Sequence, residues 1–176
     1  MSNYRRNFVT GGCYFFTVNL ANRKSSFLID YIDSLREAFR YTQNRHLFTI
    51  DAIVVMPEHL HAIWTLPPGD QNYATRWRLI KTVFSRSLPG SEFISNSRKE
   101  KGERGIWQRR YWEHTIKNEA DFARHVDYLH FNPVKHGYVD KVIKWPYSSF
   151  HRFVEQGVYA ADWAGSPDDD LVLGER

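Results

Sequence analysis

Residues 47–66 read Leu47-Phe48-Thr49-Ile50-Asp51-Ala52-Ile53-Val54-Val55-Met56-Pro57-Glu58-His59-Leu60-His61-Ala62-Ile63-Trp64-Thr65-Leu66. Two apolar, β-branched runs, 47–56 and 59–66, are parted only by Pro57-Glu58. That spacing predicts an antiparallel pair joined by a tight turn, both strands central in a sheet. Alternation along the second run puts Leu60, Ala62, Trp64 and Leu66 on one face and His59, His61, Ile63 and Thr65 on the other.

The flanking sequence extends the pattern. Gly11-Gly12 marks a turn before a strand at 14–20, and 27–44 carries apolar residues near helical spacing. Residues 72–88 read as a basic amphipathic helix with Trp77, Ile80, Val83, Phe84 and Leu88 as its stripe. Residues 89–105 are polar and glycine-punctuated, a mobile loop by composition. A short strand at 111–117 precedes a helix capped by Asn118 that runs to about Phe131, with Pro133 limiting it. Strand, helix, strand, strand, helix, strand, helix predicts an α+β, ferredoxin-like sandwich: an antiparallel sheet with helices on one face. The expected organisation is one catalytic domain over 1–150 and a C-terminal extension over 151–176.

Composition narrows the function. Of 176 residues, 42% are hydrophobic and 25% charged, which excludes disorder and fibrous repeats. No apolar run approaches the roughly 20 residues of a membrane span, and the first residues lack a signal peptide, so a cytoplasmic protein is expected. A single cysteine, Cys13, removes disulfide frameworks and multi-Cys metal sites. Residues 160–176 carry a net charge of −4, leaving +8 on residues 1–159. A basic body suggests a polyanionic partner, which the acidic tail would cover in its absence. Aromatics at 16% interleaved with basic residues suit single-stranded nucleic acid, and equally suit an ordinary aromatic core.

Two motifs carry chemistry. His59 and His61, two apart on a strand, lie about 7 Å apart and can share one ion, although a bare His-x-His also occurs on exposed strands. Tyr128 and Asn132 are four apart on one helix face, off the apolar stripe of Phe122, Val126 and Leu129. Tyr128 can otherwise be an amphipathic tyrosine at the core's edge, and Asn132 before Pro133 a helix terminator. Combined, two imidazoles and one amide oxygen make a neutral ligand set with open positions. Mn²⁺ or Mg²⁺ suits that set, and imidazole would also accept Zn²⁺ or Ni²⁺. A phenol one turn away can attack a polarised phosphodiester. Glu58 reads chiefly as a turn residue. His114, His125, His130, His136 and His151 read as structural or surface residues.

His59-Leu60-His61 with Tyr128 and Asn132 resembles the HUH single-tyrosine transposases. Tyr4-Arg5-Arg6, Gly11-Gly12, Phe15-Phe16-Thr17-Val18-Asn19-Leu20, Trp107-Gln108, Trp112-Glu113-His114, Asn132-Pro133-Val134-Lys135-His136-Gly137, Trp145-Pro146 and Asp162-Trp163-Ala164-Gly165 resemble the REP-associated tyrosine transposases of bacteria over residues 4–165. The resemblance implies cleavage and rejoining of single-stranded DNA at hairpins of repetitive extragenic palindromes, with a 5′-phosphotyrosine on Tyr128. It also implies metal ligation by His59 and His61, a third ligand at Asn132, Mg²⁺ or Mn²⁺, a monomer rather than a helix-exchanging dimer, and action at the nucleoid. Arg5, Arg6, Arg76, Arg78, Lys81, Arg109 and Arg110 are then candidates for gripping phosphates, and Trp107 or Trp112 for stacking on a base. A catalytically silent regulator that binds hairpin DNA or RNA is the alternative. A metallohydrolase using bound water is a third.

Overall fold

The second strand of the predicted hairpin lies at the centre of the sheet and carries both histidines. β2 (Thr49–Val55) and β3 (His59–Thr65) pair antiparallel, Val55 facing Leu60, with a register shift between Ile50 and Ala52. The other side of β3 pairs antiparallel with β1 (Cys13–Asn19), and β1 in turn pairs with β4 (Trp112–Thr115). The order is β2-β3-β1-β4, the ferredoxin-like arrangement in an α+β fold. β2 was expected at the centre and stands at the edge, because the aromatic β1 takes the second side of β3. A bridge from Val54 to Ser148 and the Val55 amide bond to the Tyr147 carbonyl, 2.9 Å, cover part of that edge. This computed structural model describes residues 6–90 and 92–165; Arg5 and the acidic tail of 166–176 fall outside them.

Alternation along β1 and β3 sends side chains into two separate cores. Tyr14, Phe16, Leu60, Ala62 and Trp64 meet Leu35, Ala38 and Phe39 of α2 (Ile32–Gln43) and Trp77, Ile80 and Phe84 of α3 (Tyr73–Ser87). Trp64 and Trp77 stack at 4.2 Å. The short α1 (Phe27–Asp30) leads into α2. The opposite face carries Phe15, Ala52, Val54 and Ile63 against Val126, Tyr128 and Leu129 of α5 (Glu119–Lys135). The two crossover helices thus share one face as expected, whereas the tyrosine helix covers the other. The reason is that Phe15, Ala52, Val54 and Ile63 give that face its own apolar surface to bury.

α5 begins where expected: the Asn118 side chain accepts from the Asp121 amide at 2.9 Å. Its end differs. Instead of stopping before Pro133, the helix runs through it to Lys135. Gly137, at φ +72°, closes it: its amide donates to the Val134 carbonyl (2.9 Å) and that of Tyr138 to the Pro133 carbonyl (3.0 Å). This paired closure needs the left-handed conformation that glycine adopts without strain. Proline removes one helical donor but does not force the stop, and Lys135 and His136 are carried a full turn further.

The loop expected at 89–105 contains a short helix, α4 (Asn96–Lys99). The Arg104 guanidinium gathers it, pairing with Glu92 and donating to the Leu88 carbonyl at 2.9 Å and the Pro89 carbonyl at 2.7 Å. α6 (Phe150–Glu155) crosses the expected boundary at 150 and packs Phe153 on His130 of α5, ring centroids 4.8 Å apart. Among the described residues no helix is long and apolar enough to cross a membrane.

Candidate active site

His59 and His61 are both fully buried in β3, their rings 5.0 Å apart. Exposed surface histidines are therefore excluded. His59 Nδ1 lies 2.8 Å from Glu58 Oε1. An ionised carboxylate only accepts, so Nδ1 carries a hydrogen, and Nε2 is the nitrogen that the neutral ring would offer as a lone pair. That Nε2 is buried with no hydrogen-bond partner. His61 is oriented through its own Nδ1, 2.9 Å from Thr17 Oγ1, its register partner on β1. Glu58, expected chiefly as a turn residue, is thus an aiming group as well. Burial opposes its ionisation, but the bond from His59 and the Arg23 charge at 3.6 Å hold its carboxyl below the ordinary range. Tyr138 Oη donates to its other oxygen at 3.4 Å.

α5 lies across this pair. The Tyr128 ring stands 5.6 Å from His61, near perpendicular, and His136 stands 5.3 Å from His59. Asn132 is midway on the same helix face, one turn from each, and fully buried. Of the sequence-predicted quartet, His59, His61 and Tyr128 therefore meet, and Asn132 shares a helix face with Tyr128. A buried imidazole lone pair without a donor, beside a second imidazole and an amide, fits a divalent cation. His136, read as structural from sequence, borders the pair. Thr17 was not foreseen, because only the register of β1 on β3 reveals it.

Tyr128 is 3% exposed, and Lys135 lies over it. The ammonium Nζ is 3.0 Å from the phenol oxygen and 4.6 Å from the ring centroid, while the lysine itself is exposed.

The basic candidates divide. Arg6, Arg78, Lys81, Trp107 and Arg109 line one open cleft of about 660 Å³ together with Tyr111, on the α3 side of the sheet. Arg6 lies over the Tyr111 ring at 4.5 Å. Burial, reinforced by the charges of Arg6 and Arg98, pushes the Lys81 ammonium down to about 8. Arg109 is exposed and pairs with Glu103 at 2.8 Å, and Arg110 is exposed. Trp112 is half-buried on β4. Two expectations are corrected. Arg76 is 2% exposed, pairing with Asp70 at 2.7 Å and donating to the Leu47 and Asn72 carbonyls, so it staples α3 to the start of β2 rather than meeting DNA. Trp107, although it borders the cleft, is 5% exposed, packs on Phe84 at 5.4 Å and bridges to Leu20, so too little of it is open for a base to stack on.

A second histidine cluster lies across Phe15, whose ring is 5.4 Å from His61 and 5.0 Å from His125. His114, Asp121 and His125 offer ligand atoms within 4.8 Å of one another, an arrangement compatible with a divalent metal. Here the carboxylate is engaged: Oδ2 accepts from His114 Nε2 and the Lys117 amide, both 2.9 Å, and Oδ1 lies 3.2 Å from His125 Nδ1.

Residues 9–132 match the family described as "Transposase IS200 like". The chain belongs to this family. A REP-associated tyrosine transposase of Escherichia coli K12 is 47% identical over 176 residues, the whole of this chain and 98% of that protein. A Haemophilus influenzae protein provisionally given the same name is 50% identical over 170 residues, 96% of each chain. A solved REP-associated tyrosine transposase bound to a REP hairpin superposes with a TM-score of 0.86 at 46% identity, covering 100% of this chain and 98% of that one. Within the family, the place of the chain is among the REP-associated tyrosine transposases.

Proposed function

We propose that this protein cleaves and rejoins single-stranded DNA at REP-type hairpins through a 5′-phosphotyrosine on Tyr128. One observation carries the reading: the Tyr128 ring lies 5.6 Å from His61, whose own ring lies 5.0 Å from that of His59. His59, His61 and Asn132 would hold the divalent ion, Mg²⁺ or Mn²⁺. When bound, such an ion polarises the phosphodiester and offsets its developing charge. The residues of the chain do the rest. Glu58 and Thr17 aim the imidazoles, and the rigid α5 presents the phenol oxygen to phosphorus. A Tyr128 Oη–P bond forms, the P–O3′ bond breaks, the phenol proton leaves to solvent and the 3′ oxygen takes a proton. Reversal by another 3′-hydroxyl rejoins the strand.

The DNA partner is supported by the hairpin-bound relative and by the cleft of Arg6, Arg78, Lys81 and Arg109, with the exposed Arg110 next in the chain. These cations would position phosphates, and the half-buried Trp112 is the remaining candidate for stacking on a base. Arg5 would extend the same grip. Because Tyr128 meets the histidines of its own chain, the site supports action as a monomer, in the cytoplasm on the nucleoid.

The test uses the full chain, Mn²⁺ and labelled hairpins with single-stranded flanks taken from the surrounding genome. A protein–DNA adduct that survives denaturation is expected, lost with chelator and in Tyr128→Phe while hairpin binding persists. Cleavage retained by Tyr128→Phe would show water as the nucleophile. Binding without any adduct would leave a silent hairpin binder.

A further inference from the structure

The geometry points to Lys135 as a second catalytic residue, an ammonium that holds the nucleophilic oxygen of Tyr128 and meets the phosphodiester as it arrives. The inference rests on the tyrosine reading above and adds a residue to it. Three observations converge. The Nζ atom is within hydrogen-bond distance of the phenol oxygen, at 3.0 Å. The phenol is buried while the lysine is exposed, so the ammonium stands on the solvent side of the only oxygen Tyr128 has to offer. Finally, the contact exists because α5 continues through Pro133: residues 128 and 135 are seven apart, two turns of one helix, and the closure at Gly137 keeps the second turn wound.

Charge decides what the contact can do. In cleavage the phenol oxygen gives up its proton as it bonds to phosphorus, and in rejoining it departs with the bonding electron pair. Both transition states carry negative charge on Oη and on the non-bridging phosphate oxygens. An ammonium fixed beside Oη in a partly desolvated site stabilises that charge more than it stabilises the neutral phenol, which is what lowers a barrier. No proton need pass through the lysine, so atoms balance as written above.

The experiment measures single-turnover rates of adduct formation, and of strand release from isolated adduct, for wild type, Lys135→Met and Lys135→Arg, with hairpin affinity and thermal stability alongside. Lys135→Met keeps length and loses charge. It should slow both directions by about 10²-fold, the loss typical of one donor removed from a developing anion, with hairpin affinity within about threefold. Lys135→Arg should recover at least tenfold of that loss. Equal rates in Lys135→Met and wild type would overturn the inference while leaving Tyr128 as nucleophile. So would a loss of hairpin affinity that accounts for the whole rate loss, since the lysine would then serve DNA binding alone. A wild type that forms no adduct takes the tyrosine reading and this one down together.

Discussion

Two histidine clusters flank Phe15, and they differ in what their polar atoms lack. In the His59–His61 pair, Glu58 and Thr17 occupy the Nδ1 positions and leave His59 Nε2 buried without a partner. In the His114–Asp121–His125 cluster, His114 and the Lys117 amide donate to Oδ2, Arg124 reaches Oδ1 at 3.5 Å, His125 Nδ1 bonds the Asp121 backbone carbonyl at 2.8 Å, and the imidazoles stack at 4.5 Å. A buried lone pair without a donor is destabilising unless a ligand completes it, whereas a satisfied network already helps hold the fold. The second cluster ties β4 to the first turn of α5, and so holds the tyrosine helix on the sheet. Histidine content does not separate the two regions. The fate of one nitrogen does.

The largest expected effect tests that difference directly. His59→Ala or His61→Ala should lower adduct formation about 10³-fold, since the metal's charge stabilisation is worth several kcal/mol. His114→Ala and His125→Ala should stay within about tenfold of wild type at a temperature where circular dichroism shows each variant folded. An equal collapse in His125→Ala would merge the two clusters into one centre.

Aiming without ligation gives a smaller effect. Glu58→Gln leaves a neutral acceptor at Nδ1, and should weaken Mn²⁺ binding about 10- to 100-fold by calorimetry. Asp121→Asn, the matching change in the other cluster, should leave Mn²⁺ affinity unchanged. If the two variants trade these outcomes, the metal belongs beside His114.

Much of this was legible in the sequence, for a physical reason. Period-two alternation in 59–66 fixed which residues of β3 share a face with the histidines, though not that a second core covers that face, and the four-residue spacing of Tyr128 and Asn132 fixed a common helix face. Both are local regularities of the backbone. What stayed hidden depends on pairing or on completion of an element. Thr17 reaches His61 only through the register of β1. Arg76 reads as a basic-face residue until its neighbours at Leu47 and Asp70 are known. α5 outruns its predicted end because an interior proline deletes only one hydrogen bond, whereas a left-handed glycine with two closing bonds ends a helix. The contact of Lys135 with Tyr128 exists only on that extra turn.

The smallest effect concerns the imidazoles that hold structure. His125 and His130 both lie on α5, and burial pushes both down, His130 to about 3 with the Arg152 and His151 charges adding to it. Each is neutral in the folded chain at pH values where the unfolded chain, with histidine near 6.5, binds a proton. Stability must therefore fall as pH drops below about 6.5, and for His130 it keeps falling until about 3. Between pH 7.5 and 5.5 His130 alone removes about 1.4 kcal/mol. His130→Gln keeps a polar group near the Ser149 hydroxyl, which lies 2.9 Å from the imidazole, and cannot titrate. Urea unfolding at the two pH values should show the variant less stable than wild type at pH 7.5 yet losing about 1.4 kcal/mol less on acidification. An unchanged pH slope in the variant would mean that His130 is charged inside the fold. His130 Nδ1 is itself buried without a partner, as His59 Nε2 is, so what sets His59 apart is the second imidazole 5.0 Å away.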